Sequence, residues 1–366
     1  MPGPRDSEGM KVALIGLGQA GGRVAQAIQD ADRQAGYGAV RGVLAVNTAR
    51  PDLQGLDVPT MLVGGERVGG HGVGADNELA ASIVQADVRE IMGELDGVVH
   101  PETDAIVIVA GLGGGTGSGG APVLAKELAR LYDKPVYGLG ILPGRDEGAI
   151  YQRNAGRSLR TFAREADSLL LVDNDAWRAS GESLASGFEA INERIARRLD
   201  LVLAAGEAVE GVGESVVDAS ELINTLDNGD LAAVGYATAE AAADPGENVN
   251  VITSTARRAL LTDVSVPETT RAEAALVVVA GEPDRLSRKG VERARKWIEE
   301  ETGSVVVRGG DFPLESDKIA VAVVLSGIAE SPRLEALMER AREAQPETEA
   351  SDRSKAFETD ELEDLF

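Results

Sequence analysis

The chain has 366 residues, no cysteine and only two histidines, His71 and His100. That excludes disulfides, thiolate chemistry and cysteine-based metal sites, and it argues against a histidine metal site or a Ser-His-Asp triad. With 61 acidic against 36 basic residues the net charge is −25, which repels nucleic-acid phosphates and argues against a nucleic-acid partner.

Arginine far outnumbers lysine among the bases. An acidic, lysine-poor surface suits concentrated salt, where at about 1 M the screening length falls to about 3 Å and self-repulsion is tolerable. A hydrophobic content of 43 % over this length allows two domains with sizeable cores. No apolar run reaches membrane-spanning length, and Met1–Gly9 is polar and Pro/Gly-rich, unlike a signal peptide. The expected location is the cytoplasm, with any membrane contact indirect.

In chain order, residues 11–16 read as a first buried strand, followed by a glycine turn and a helix from Gly22 to about Asp32. Strands are expected at 43–47 and 61–63. A second glycine-rich loop spans 69–77, and a helix runs near 78–92. The run Ala105–Ala110 is a buried parallel strand that feeds Gly111-Leu112-Gly113-Gly114-Gly115-Thr116-Gly117-Ser118-Gly119-Gly120 and then a helix opening at Ala121-Pro122. Strands follow at 136–142 and 168–173. Strands alternating with helices predict a parallel, doubly wound α/β sheet.

Apolar residues at three- and four-residue steps, Phe188, Ile191, Ile195, Leu199 and Val202, predict a long helix over 186–205. Beyond it a smaller α+β domain is expected. It has helices near 214–226, 250–261 and 286–301, and strands near 275–280, 304–307 and 319–325. A last helix over 332–342 precedes a charged, apolar-poor stretch, 345–360, whose composition fits disorder. The expected division is 10–185, 186–206, 207–330 and 331–366.

The loop at 111–120 joins a strand end to a helix N-terminus. Outward backbone N–H groups and the positive helix end make an anion site, and missing Cβ atoms let phosphates approach. Thr116 and Ser118 offer hydroxyl donors. No lysine follows, so this is not a Walker A loop. Gly16-x-Gly18-x-x-Gly21 matches a dinucleotide fingerprint, yet the second strand ends in Asn47-Thr48-Ala49 with no acid for the ribose. An NAD-dependent oxidoreductase is therefore the least favoured alternative.

The string GGGTGSG, residues 113–119, resembles the phosphate loop of the tubulin/FtsZ family, and Gly18-Gln19-Ala20-Gly21 resembles the family's first nucleotide loop. Other loops follow in order: Asn47-Thr48, Gly72-Val73-Gly74-Ala75-Asp76-Asn77, Pro143-Gly144-Arg145-Asp146-Glu147-Gly148, and Asn174-Asp175. Residues 72–79, 288–300 and 360–366 narrow the resemblance to CetZ, the tubulin/FtsZ-like family of archaea.

The resemblance implies a filament-forming GTPase that binds GTP or GDP with Mg²⁺, stacks head to tail, and serves cell shape. Its nucleotide contacts would come from Gly18, Gln19, Ala20, Gly22, Asn47, Gly74, Ala75, Asp76, Gly113, Gly114, Gly115, Thr116, Gly117, Ser118, Glu147, Asn154 and Asn174. Phe188 would stack on guanine and Asn192 read its edge. Asp218 and Glu221 would be the catalytic acids, supplied to the neighbouring subunit. No side-chain cage for a metal is evident. The terminal Asp360-Glu361-Leu362-Glu363-Asp364-Leu365-Phe366 is expected to dock on an unknown protein. A non-polymerising GTP-binding regulator stays open as a further alternative.

Overall fold

A computed structural model describes residues 9–177, 184–205, 217–269 and 271–344. Its strands are β1 (Val12–Leu17), β2 (Val40–Asn47), β3 (Thr60–Leu62), β4 (Ala105–Gly111), β5 (Val136–Leu142), β6 (Ser168–Asp173), β7 (Leu231–Glu240), β8 (Arg271–Gly281), β9 (Val306–Pro313) and β10 (Lys318–Glu330). The helices are α1 (Gly18–Ala35), the single turns α2 (Arg50–Leu53) and α3 (Gly65–Val68), α4 (Asn77–Leu95), α5 (Thr116–Leu131), α6 (Ala149–Glu165), α7 (Leu184–Ala204), α8 (Ala219–Leu226), α9 (Pro245–Leu261), α10 (Arg288–Thr302) and α11 (Pro332–Glu343).

The strands hydrogen-bond into one sheet, ordered β3-β2-β1-β4-β5-β6-β7-β10-β8-β9. From β3 to β6 every pairing is parallel. Such strands are near-continuously apolar because both faces are covered. Alternate residues of β1 part to opposite sides. Val12 and Leu14 pack with Val24 and Ile28 of α1 and Ile191 and Ile195 of α7. Ala13, Ile15 and Leu17 pack with Ile83 of α4 and Leu124 and Leu128 of α5. Beyond β7 the sheet turns antiparallel, with β10 between β7 and β8. There Ile252 of α9 and Ile298 of α10 cover Val277, Val279 and Val321. Strands β6 and β7 meet through only two residue pairs, Leu169–Leu231 and Leu170–Ala232.

The second half departs from the expectation in three places. Strand β7 was not expected, because Leu-Ala-Ala-Val-Gly-Tyr-Ala-Thr-Ala-Glu is rich in alanine and glycine. The small residues serve close packing: a Cβ on Gly235 would stand 2.1 Å from the Ala259 carbonyl oxygen of α9. The strand expected at 304–307 runs instead over Val306–Pro313, through Gly309 and Gly310. Ser304 turns its hydroxyl to the Ala272 carbonyl at 2.9 Å. Within the described residues, the helix expected near 214–226 begins at Ala219. The expectation for 345–366 lies outside the described residues. Among the described residues no helix is long and apolar enough to cross a membrane.

Candidate functional site

The carboxyl ends of β1, β2, β4 and β5 open onto one cleft of about 410 Å³. The order β2-β1-β4 places it where the chain direction of winding reverses, because α1 leaves β1 on one face and α5 leaves β4 on the other. Such switch points form crevices at the strand ends. Two helix N-termini converge there. α1 begins at Gly18 directly after β1, and α5 begins at Thr116 after Gly115. Both present unpaired amide groups and positive dipole ends to one space, which is an anion site.

Gly18 has φ +72°, and a Cβ there would lie 3.0 Å from the Gly117 amide nitrogen. The two glycine loops therefore touch through backbone. Gly114 differs: a Cβ there would meet nothing within 4 Å, so its face is open to a ligand.

Two polar clasps fix the loops. Thr116 and Thr48 hydroxyls share a hydrogen bond of 2.8 Å, tying the phosphate loop to the end of β2. The Asn154 amide of α6 donates to the carbonyl oxygens of Ala75 at 2.8 Å, Gly113 at 3.1 Å and Gly114 at 3.2 Å. Ala75 sits at φ +66°, unusual for a residue with a side chain. Asn154 holds it there. Ser118 does not offer its hydroxyl to the cleft; it donates back to the Gly114 carbonyl and to Gly115 at 3.3 Å. A helix serine in the first turns readily bonds a preceding carbonyl, which the sequence expectation of a free donor overlooked.

Of the expected contacts, Gly18, Gln19, Ala20, Asn47, Gly74, Ala75, Gly113, Gly114, Gly115, Thr116, Gly117, Glu147, Asn174 and Asn192 line this cleft. Four others do supporting work outside it. Gly22 lies against Leu56 and Ala45. Asp76 caps α4, accepting from the Leu79 amide at 2.9 Å. Ser118 and Asn154 hold the loops. Arg23, Asp52 and His71 line the cleft without having been expected. Asp52 accepts from the Asn47 amide at 3.1 Å.

A model of the tubulin/FtsZ family GTPase domain matches residues 11–182, and one of the tubulin-like CetZ C-terminal domain matches 181–343. Tubulin-like protein CetZ2 of Haloferax volcanii is 62 % identical over 360 residues, covering 98 % of this chain and all of that protein. The chain belongs to the CetZ family of tubulin-like proteins. CetZ1 of the same organism is 50 % identical over 370 residues, covering 93 % of this chain and 94 % of that one. Among solved structures, the GTPγS-bound protofilament of Haloferax volcanii CetZ2 superposes with a TM-score of 0.89 at 60 % identity, covering 94 % of this chain and all of that one. The GDP-bound monomer of CetZ1 gives 0.85 at 50 % identity, covering 92 % and 100 %.

As in other CetZ chains, the GTPase domain leads into α7. Asn192 on this helix reaches the cleft. Phe188 lies one turn earlier on the same helix; its side chain lies outside the described residues. Asp218 and Glu221 do not line the cleft of their own chain. Asp218 caps α8, accepting from the Glu221 amide at 2.9 Å and from the Ser220 hydroxyl at 2.5 Å. The Ser220 hydrogen bond chiefly holds the Asp218 carboxyl below its usual range. Burial raises the Glu221 carboxyl, and the Asp218 carboxylate raises it further, against the pull of Arg308 and Arg295. Paired acids pushed apart in this way suit one to stay ionised while the other handles a proton.

Proposed function

We propose that this chain binds GTP in the cleft and assembles head to tail, each subunit's α8 completing the hydrolytic site of its neighbour. One observation carries the reading. The cleft gathers two helix N-termini and a base-reading asparagine, while the proton-handling pair Asp218 and Glu221 lies elsewhere on the chain. A second subunit can join them. A heterologous contact of that kind need not close, so it builds a filament. The printed description of the CetZ2 relative as a GTPγS-bound protofilament supports this.

In the proposed step, the α8 carboxylate of one subunit orients a water against the γ-phosphorus held by the next and takes its proton. The bond from the γ-phosphorus to the β–γ bridging oxygen breaks, leaving GDP and phosphate. Glu147 would hold the sugar end; its carboxylate already accepts from the Gly144 amide at 2.7 Å. Mg²⁺ suits this site as a companion of the phosphates. Among the described residues no three carboxylate or imidazole groups gather to cage an ion, and Mg²⁺ commonly rests on substrate phosphates and water. It would neutralise phosphate charge.

On this reading residues 10–185 are the GTP-binding domain, 186–206 the central helix, 207–330 the activation domain and 331–366 a terminal helix and tail. The setting is the cytoplasm and the role control of cell shape.

Light scattering and phosphate release with GTP and Mg²⁺ in molar KCl test the proposal. Turnover per subunit should rise above a threshold protein concentration, together with scattering. Turnover strictly proportional to protein, without scattering, would instead mark a non-polymerising regulator.

A further inference from the structure

A groove of about 600 Å³ runs behind the phosphate loop, between α4, α5, α6 and α11. Its walls carry Lys126, Arg153, Arg157, Arg160, Arg164 and Arg342. Two acids share it: Glu78 pairs with Arg157 at 3.0 Å, and Glu165 with Arg164 at 3.0 Å. Six cations against two anions is an inversion in a chain of net charge −25. The floor is apolar and small, with Ala81, Pro122, Val123, Met338 and Ala341. Such a surface fits an acidic segment with a few apolar anchors.

The chain holds such a segment. Residues 345–366 contain eight acidic and two basic residues, with Phe357, Leu362, Leu365 and Phe366 among them. They follow directly on α11, which itself contributes Met338, Ala341 and Arg342 to the groove. At roughly 3.3 Å per extended residue, Phe357 has a reach of about 40 Å from residue 344, ample for a groove that starts at the same helix.

Charge also decides against a separate acidic ligand. A free polyanion meets a protein of net charge −25, whereas a tethered segment is already present at an effective concentration in the millimolar range. In concentrated salt only contacts within a few ångströms keep their Coulomb attraction, so the apolar anchors must share the work. We propose that residues 345–366 dock in this groove on their own subunit, acids against Lys126 and the arginines and apolar side chains over Met338 and Ala341. A docked tail would be closed to an outside protein until displaced. It would also cover the side of α5 and α6 opposite the phosphate loop, where Ser118 and Gly119 reach the groove.

The test uses the full chain, whose lack of cysteine permits site-specific spin labels. Labels go on Gln85→Cys in the groove wall and Ala356→Cys in the tail, with GDP in molar KCl. A narrow distance distribution between the labels is expected. Lys126→Glu with Arg164→Glu should broaden it, and adding Glu358→Lys, Asp360→Lys and Glu361→Lys should narrow it again. A broad distribution in the unsubstituted chain, or one blind to both charge reversals, overturns the proposal. So does a narrow distance that appears when singly labelled chains are mixed, which would place the tail on a second copy.

Discussion

Arg333 forks onto Asp173, its Nε donating to one carboxylate oxygen at 2.8 Å and its Nη2 to the other at 3.0 Å, with the two side chains 1 % and 0 % exposed. The same Nη2 donates to the Pro143 carbonyl at 2.9 Å. Arg333 stands at the start of α11, Asp173 ends β6, and Pro143 follows β5. The last described helix is thus bolted to the strand ends beside the cleft.

Removing one member of such a pair leaves a buried charge without its partner. Arg333→Leu should cost roughly 3–5 kcal/mol of stability. Arg333→Leu with Asp173→Leu should recover a large part of that, since an apolar pair demands no desolvated charge. Urea midpoints of the two variants check this. A single variant as stable as the double would show that the pair does not act as a unit.

Asn154 is expected to act on affinity rather than folding. Asn154→Ala frees Ala75, Gly113 and Gly114 together, and the loops lose their common clasp. GTP binding should weaken by about tenfold or more, in line with the roughly 1–3 kcal/mol cost of leaving buried carbonyls unpaired. Calorimetric titration reads the affinity, and circular dichroism should show unchanged helix content.

Asn192 should set the base. A side-chain amide can both donate to and accept from a purine edge, so an adenine leaves polar groups unpaired. Asn192→Leu should narrow the preference for GTP over ATP by on the order of 1–3 kcal/mol. Competition binding at fixed salt measures it, and an unaltered preference removes Asn192 from that role.

Glu221→Ala should bind GTP normally, assemble, and hydrolyse roughly 10²–10⁴-fold more slowly. Mixed with a phosphate-loop variant that cannot hold GTP, it should regain turnover, because its nucleotide can then face an intact acid. Co-assembly without any recovery contradicts the shared site. The raised Glu221 carboxyl also places the acid limb of the turnover profile above that of an ordinary glutamate. Below it the base is protonated and activity falls.

Asp200 gives a pH dependence of stability. Burial, aided by Asp32, pushes its carboxyl up to about 7. The folded chain therefore keeps a proton that the unfolded chain has lost, and stability from this group falls as pH rises from about 4 to about 7. Asp200→Asn should stabilise, by an amount that grows from pH 5 to pH 8 and reaches on the order of 2 kcal/mol. Thermal unfolding at the two pH values checks the sign.

The loops were legible in the sequence because glycines in a fixed order, between apolar strands, have few other uses; Gly113–Gly117 and Gly18–Ala20 all reach the cleft. The clasps were not. Asn154 was taken for a sugar contact, since nothing in a sequence tells an amide that touches ligand from one that holds the loop touching it. Arg333 stands 160 residues from Asp173, and no local periodicity links them. β7 escaped because its alanines and glycine answer to the helix lying on them rather than to strand propensity.

Two residue pairs, Leu169–Leu231 and Leu170–Ala232, carry the sheet across its middle, where neighbouring parallel pairs such as β4–β5 extend over six. In mechanical terms this is a seam. Load passing along a filament would reach it before any longer ladder, and parting it sacrifices few hydrogen bonds. A filament of such subunits should flex within each subunit as well as between them. In single-molecule stretching, the two halves of the sheet should separate at lower force than either half unravels.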